Sequence, residues 1–283
     1  MLKLMYITNN PRVAKIAEEA GVDRIFIDME YMGKDERQGG MDTVKNHHTV
    51  EDIKNIRSAV TKAQILVRVN PIYENTPQEI DAAIDAGADL LMLPMWKTAE
   101  DVKAFINCVN KRAGVMLLLE NRQAAESLDE ALKLDGIDEI HIGLNDLHLS
   151  LKKDFLFELL ADGTVEGIVN KIKKTNIPYG FGGFGRLGDG ILNADYIVAE
   201  HYRLGSSIAI LSRTFCNAEQ INDLSVVEDI FKNGVAAIRE FEDYLASADD
   251  EYFAECHRML CDCCEEIVRR KSGSIKHLKD FWM

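Results

Sequence analysis

No stretch of this 283-residue chain stays apolar for long enough to cross a bilayer. The opening Met1-Leu2-Lys3-Leu4-Met5-Tyr6-Ile7 turns polar too soon for an export leader, shows no cleavage pattern, and reads as a first strand. Positive charge is scarce. The 33 Lys and Arg stand against 47 Asp and Glu, a net charge of -14. Phosphate is repelled over most of such a surface, which argues against a nucleic-acid partner and leaves only a local basic patch for a small anion. Low-complexity segments are absent, as is any repeat beyond a strand–helix period. Six cysteines without an export signal are expected to be reduced thiols in a cytoplasm. Four of them crowd into Cys256-His257-Arg258-Met259-Leu260-Cys261-Asp262-Cys263-Cys264. A soft-metal or redox site is one reading of that run. The preferred one is small apolar residues lining a helix interface, because a zinc site usually brings ligand pairs together from loops and this is one helical stretch.

What is present is a strict alternation. A chain of this length with 47% hydrophobic content can bury one large core or two modest ones. Strand-like runs fall at 2–8, 24–29, 64–69, 90–94, 114–119, 139–143, 178–182 and 207–212. Helix-like segments occupy 11–20, 50–62, 76–86, 98–111, 122–133 and 164–175 between them. The strands are dense in Ile, Leu, Val and Met rather than alternating, as when both faces are covered. Gly21, Gly87, Gly114 and Gly136 follow helical runs, where a left-handed helix end is expected. Strand followed by helix throughout implies a parallel sheet, and this number of units fits an α/β fold, a closed (β/α)8 TIM barrel. The polar connection 31–49 is long for a βα loop, and 146–163 is a second long connection. Beyond residue 220 only helices are expected, at 224–245 and 249–271. The division is therefore a barrel over 1–220 and a helical extension over 221–283 that packs on, or swaps with, a neighbouring subunit.

In such a barrel the chemistry gathers at the C-terminal ends of the strands. Two carboxylates stand where apolar runs stop: Glu120 after Val115-Met116-Leu117-Leu118-Leu119, and Asp146 after Ile140-His141-Ile142-Gly143-Leu144-Asn145. Oxygen ligands at adjacent strand ends make half of a site for a hard divalent cation. The same rim carries Asn9 and Asn10, Asp28 and Glu30, Arg68 with Asn70, Pro94-Met95-Trp96, glycines at 180–185, and Ser212-Arg213. Charge at an apolar strand end is costly to bury unless it is paired.

These stretches resemble the HpcH/HpaI aldolase and citrate lyase family, the metal-dependent pyruvate aldolases. The resemblance lies in Phe26-Ile27-Asp28-Met29-Glu30, Leu66-Val67-Arg68-Val69-Asn70, Gly87 to Met95, Leu119-Glu120-Asn121, and Gly136 to Leu147, in the family's order within residues 1–215. It implies a (β/α)8 barrel with a swapped C-terminal helix, assembled as a hexamer or trimer of dimers. It also implies Mg²⁺, Mn²⁺ or Co²⁺ held by Glu120 and Asp146. The expected activity is that of a cytoplasmic lyase joining or splitting pyruvate, or a similar 2-oxo acid, and an aldehyde through an enolate. A divalent ion chelated by the 2-oxo acid would act as the Lewis acid, and Arg68 would face the oxyanion as a fixed donor. No lysine ends an apolar strand, so nothing marks the Schiff-base route. An acyl-CoA lyase of the citrate lyase type, or a barrel that binds a 2-oxo acid or sugar without turnover, are the competing readings.

Each candidate also has a plainer role. Glu120 and Asp146 could cap the helices that follow, although Glu is a poor cap. Arg68 could instead pair with Asp28 or Glu30, and those acids could orient bound water. The family has a His directly after the acid matching Glu30; here that residue is Tyr31, taken as substrate-binding. The proton carrier would then be His47 or His48, or these are a solvated pair before a helix capped by Thr49. Leu118 stands where relatives carry a polar residue. Gly182 and Gly183, after a seventh strand, either cradle an anion or make a tight turn. Arg213 either meets a substrate acid or phosphate, or pairs with surface carboxylates. With the 31–49 connection it suggests a larger, sugar-derived or phosphorylated acceptor. Trp96 is expected in the pocket wall.

Overall fold

The computed structural model describes residues 1–33 and 48–280, the side chains of 272–280 excepted. Eight parallel strands close on one another in chain order. They are β1 (Lys3–Ile7), β2 (Arg24–Asp28), β3 (Gln64–Arg68), β4 (Leu90–Leu93), β5 (Gly114–Leu119), β6 (Glu139–Ile142), β7 (Tyr179–Phe184) and β8 (Ile208–Leu211). Around them lie α1 (Pro11–Glu19), α2 (Val50–Ala59), α3 (Thr76–Asp85), α4 (Ala99–Val109) and α5 (Arg122–Ala131). Two short helices, α6 (Leu144–Ser150) and α7 (Glu158–Ala161), precede α8 (Thr164–Ile172) and α9 (Ala194–Arg203). The chain then runs through α10 (Leu224–Leu245) and α11 (Asp250–Asp280). The helices beyond residue 220 pack on this chain's own barrel helices, α10 along α1 and α11 along α9 and α7.

Local chemistry explains the starts of the helices. Asn10 accepts the amides of Arg12 and Val13, with Pro11 at the first helical position. Thr49 with Asp52, and Thr98 with Asp101, form reciprocal capping boxes at α2 and α4.

Residues two apart along each strand face the barrel interior. Met5, Phe26, Leu66, Leu90, Met92, Met116, Leu118 and Ile208 pack there as one cluster, distinct from the larger core between sheet and helices. Below it, at the N-terminal end, Arg24 pairs with both oxygens of Glu139. Lys3 reaches the same carboxylate at 3.1 Å. The N-terminal end of the interior is thus plugged, and among the described residues the cavity that could take a ligand lies at the C-terminal end.

Some sequence expectations change. Gly114 ends no helix: α4 closes with Asn110 in the left-handed region at φ 49°, and Gly114 starts β5. A Cβ there would lie 2.1 Å from Leu90 Cδ1, so close packing selects this glycine. The connection 146–163 holds most of α6 and all of α7, and α9 had no counterpart among the expected helices. Strand β7 runs to Phe184, two residues past its expected end, so the glycine cluster lies inside it rather than after it. The cysteines are free thiols, with Cys256 and Cys264 buried.

Candidate active site

The last inward-facing residue of several strands opens on a cavity of about 200 Å³ at the C-terminal mouth. Arg68 closes β3, Glu120 follows β5, and Asp146 sits in the first turn of α6; all three line this cavity. Gly182 and Gly183 of β7 line it too, with His141, Gly143 and Asn145.

Arg68 is held rigidly. Its Nε and Nη2 donate to Asp28 Oδ1 and Oδ2, both at 2.8 Å, in a bidentate pair, and Nη1 lies 3.4 Å from Glu30 Oε2. The guanidinium also lies over the Phe26 ring, 5.7 Å from its centre. Burial alone would loosen its hold on the proton, but Asp28, Glu30 and Glu120 more than reverse that. Arg68 is therefore a fixed cation whose orientation is determined by Asp28, the last residue of β2, and Glu30 just beyond it. Register supports this, because Asp28 and Arg68 are direct neighbours across β2 and β3.

Glu120 is buried, and its Oε1 accepts the Met95 amide at 2.9 Å. Met95 reaches that position in the left-handed region, at φ 51°, a conformation that costs a non-glycine residue about 1–2 kcal/mol. Burial pushes the Glu120 carboxyl up to about 8; Arg68 and the Met95 amide oppose the shift, while Glu30 and Asp146 add to it. Neither acid caps a helix. Asn121 holds that place for α5, accepting the Ala124 amide and donating Nδ2 to the Trp96 carbonyl, and Gly143 stands at the start of α6. With capping excluded, Glu120 and Asp146 remain two carboxylates on one cavity with excess negative charge. That donor set suits a hard divalent cation, whose other positions are filled by substrate or water oxygens. Among the described residues, no three His, Cys, Asp or Glu side chains form a complete cage.

The other expected residues fall differently. Glu30 is buried beside Arg68, and its own amide donates to Asp28 Oδ1. His48 is buried with its Nδ1 accepting the Asp28 amide at 3.0 Å, which leaves the proton of the neutral ring on Nε2; it does not line the cavity. His47 lies outside the described residues. Tyr31 is 59% exposed and outside the cavity lining, its amide donating to Asn70 Oδ1. Trp96 is no wall of the pocket: it is 2% exposed, packed in the core, and its indole nitrogen has no partner among the described residues. Arg213 is exposed in the turn after β8 and does not line the cavity.

His141 is a lining residue to which sequence reasoning gave little weight. Its Nε2 donates to the Gly182 carbonyl at 3.0 Å, the neutral tautomer being required because burial lowers the ring to about 4. Gly182 can present that carbonyl because it takes φ 49° within the irregular β7–β8 pairing between Gly180 and Gly183. The hydrocarbon lining, Ile7, Phe26, Met92, Leu118, Leu144, Leu156 and Ile210, was not expected as such, Leu118 having been noted only as a departure from its relatives. Counting two residues back from Asp28, Arg68's partner, and from Glu120 would have found Phe26 and Leu118.

A sequence model described as HpcH/HpaI aldolase/citrate lyase matches residues 3–156. The 2-keto-3-deoxy-L-rhamnonate aldolase of Escherichia coli is 24% identical over 169 residues, 49% of this chain and 58% of that enzyme. A hydroxypyruvate/pyruvate aldolase of Roseovarius nubinhibens is 24% identical over 170 residues, 49% of this chain and 60% of that one. The match thus spans less than two thirds of the length of these curated relatives. The crystal structure of an HpcH/HpaI aldolase/citrate lyase family protein from Burkholderia cenocepacia superposes with a TM-score of 0.60 at 16% identity, covering 80% of this chain and 94% of that one. That likeness is one of fold.

Proposed function

The chain belongs to the HpcH/HpaI aldolase/citrate lyase family, and from that premise we propose that it is a divalent-cation-dependent carbon–carbon lyase joining or splitting a 2-oxo acid and an aldehyde. The observation that carries this reading is the convergence of Arg68, Glu120 and Asp146 on one cavity at the barrel mouth. The names of the aldolases to which the chain is similar support it. Glu120 and Asp146 would hold the cation, Mg²⁺, Mn²⁺ or Co²⁺, which when bound supplies a Lewis acid offsetting the charge that gathers on the 2-oxo oxygen.

The chain's own residues do the rest. Asp28 occupies two of the five N–H groups of Arg68, Glu30 lies 3.4 Å from Nη1, and the guanidinium lines the cavity, where its remaining N–H groups would meet a substrate oxygen. A donor fixed in this way needs no reorganisation as negative charge develops on the substrate oxygen. The apolar wall keeps bulk water from the reacting carbon, which strengthens each of these interactions. No lysine is among the described lining residues, so the Schiff-base route draws no support. The expected phosphorylated or sugar-derived acceptor rested on Arg213 and the 31–49 connection. Arg213 stands outside the lining, and residues 34–47 of that connection lie outside the described residues. Assembly into several copies belongs to the same reading, and sedimentation of the full chain tests it.

The experiment is pyruvate release from a panel of 4-hydroxy-2-oxo acids with added Mg²⁺ or Mn²⁺, followed through a coupled reductase. Turnover is expected with cation and not with EDTA. Arg68→Lys, which keeps the charge but loses the bidentate geometry, is expected to lower kcat roughly 10²–10³-fold. Turnover that ignores EDTA, or none with any acid and cation, would refute the proposal.

A further inference from the structure

The cavity is divided by chemistry. Its charged side consists of Arg68, Glu120 and Asp146. Its other side is mostly hydrocarbon from five strands and their loops, Ile7 of β1, Phe26 of β2, Met92 of β4, Leu118 of β5 and Ile210 of β8, with Leu144 and Leu156; Asn145 and the backbone of Gly143, Gly182 and Gly183 also line the cavity. Phe26, Met92 and Leu118 are fully backed by Met5, Leu66, Leu90 and Met116, so no polar group lies beneath that floor within the cluster. The His141 ring reaches the floor's edge, but its Nε2 is spent on the Gly182 carbonyl and its Nδ1 is buried from solvent, without a partner among the described residues.

Charge limits the ligand in the same direction. Arg68 is the one permanent cation among the described lining residues, and Asp28 and Glu30 already oppose it. One substrate carboxylate can be matched beside a bound dication; a second anionic group finds no counter-charge there. Hydroxyl groups laid on the floor would lose water without gaining partners.

Resting on the lyase reading above, we infer that the preferred donor is a 2-oxo acid with a short alkyl group at C3, rather than pyruvate itself or a polyhydroxylated acid. The acid and 2-oxo oxygens face the charged side, so C3 and its substituent point away from it. The alkyl group rests on Phe26, Met92, Leu118 and Ile210, leaving the open mouth for the aldehyde.

The test needs no acceptor. The rate at which the full-length enzyme with Mg²⁺ exchanges C3 protons for deuterium is followed by NMR for pyruvate, 2-oxobutanoate and 2-oxopentanoate. Burial of each methylene is expected to raise kcat/KM about fourfold, with the order reversed in Leu118→Gln. Exchange of pyruvate equal to or faster than that of its homologues overturns the inference and leaves the lyase reading standing. Exchange of none overturns the lyase reading. Thermal stabilisation by the same acids then still decides the preference, and stabilisation no greater with the alkyl acids than with pyruvate refutes it. The wild-type comparison stands even where Leu118→Gln fails to fold.

Discussion

In the cation-free protein Glu120 should make stability fall as pH rises, the reverse of an ordinary paired carboxylate. The sign follows from its two proton affinities. Unfolded, the carboxyl titrates near its ordinary 4.5; folded, burial together with Glu30 and Asp146 raises it to about 8. Between those values the native state binds the extra proton, so unfolding releases it, and native stability declines with pH at about 1.4 kcal/mol per unit. The accumulated loss by pH 8 is at most about 5 kcal/mol, a ceiling because movement of Asp146 or entry of water relaxes the repulsion. Glu120→Gln keeps the shape and cannot ionise, so its stability should lack this decline. Urea denaturation of both proteins in EDTA, at several pH values from 5 to 8, measures the difference. Contributions from His141 and His201, lowered to about 4 and 3 by burial, cancel between the two proteins. The variant should gain on the wild type by several kcal/mol across that range, and saturating Mg²⁺ should restore the wild type alone. Parallel profiles, with a difference that does not change with pH, would refute the electrostatic account of the mouth.

Two further perturbations test the frame that positions it. Arg24→Met leaves Glu139 buried with only Lys3 beside it, and should cost roughly 3–5 kcal/mol. The double variant Arg24→Met with Glu139→Leu should recover most of that, and an equal loss in urea denaturation from single and double would contradict it. Glu18 is nearly buried and accepts the amides of Thr61, Lys62 and Ala63. Although burial opposes it, these bonds and Lys15 hold the carboxyl at about 2. This depressed group stabilises the fold above its ordinary 4.5, and the contribution is lost as pH falls toward 2. Glu18→Gln should therefore be about 3 kcal/mol less stable at pH 6, with the gap closing by pH 2. A gap that is constant with pH would sink the assignment.

The barrel was legible because the signals were local and repeated. Apolar runs buried on both faces alternate with capped amphipathic helices, and all eight expected strands form. The position of Glu120 and Asp146 at the barrel mouth was legible for a related reason, since a carboxylate at the end of such a run is costly unless used or paired. What could not be read depends on backbone turns that composition does not reveal. Trp96 looks like a pocket residue by its place after β4. Yet Met95 turns through φ 51° to give its amide to Glu120, and the indole that follows is carried into the core. The glycines of β7 resemble a loop, but Gly180 is required by the β8 backbone, where a Cβ would lie 2.0 Å from the Ile208 carbonyl oxygen.

Under the proposed function, two readings of Arg68 set against each other in the sequence, ion-pair partner and oxyanion donor, become compatible in space. A guanidinium free to swing at the mouth would have to be ordered at the moment charge develops, and that reorganisation subtracts from what it can contribute. The bidentate pair with Asp28 removes the freedom in advance, and register makes the pairing unavoidable because the two residues adjoin across β2 and β3. The price is a more negative mouth, with Asp28, Glu30, Glu120 and Asp146 around one cation. That imbalance is the condition under which a dication would bind favourably between Glu120 and Asp146, as the proposed function requires. The structural ion pair thus sets both the orientation of the donor and the charge deficit that a metal would fill.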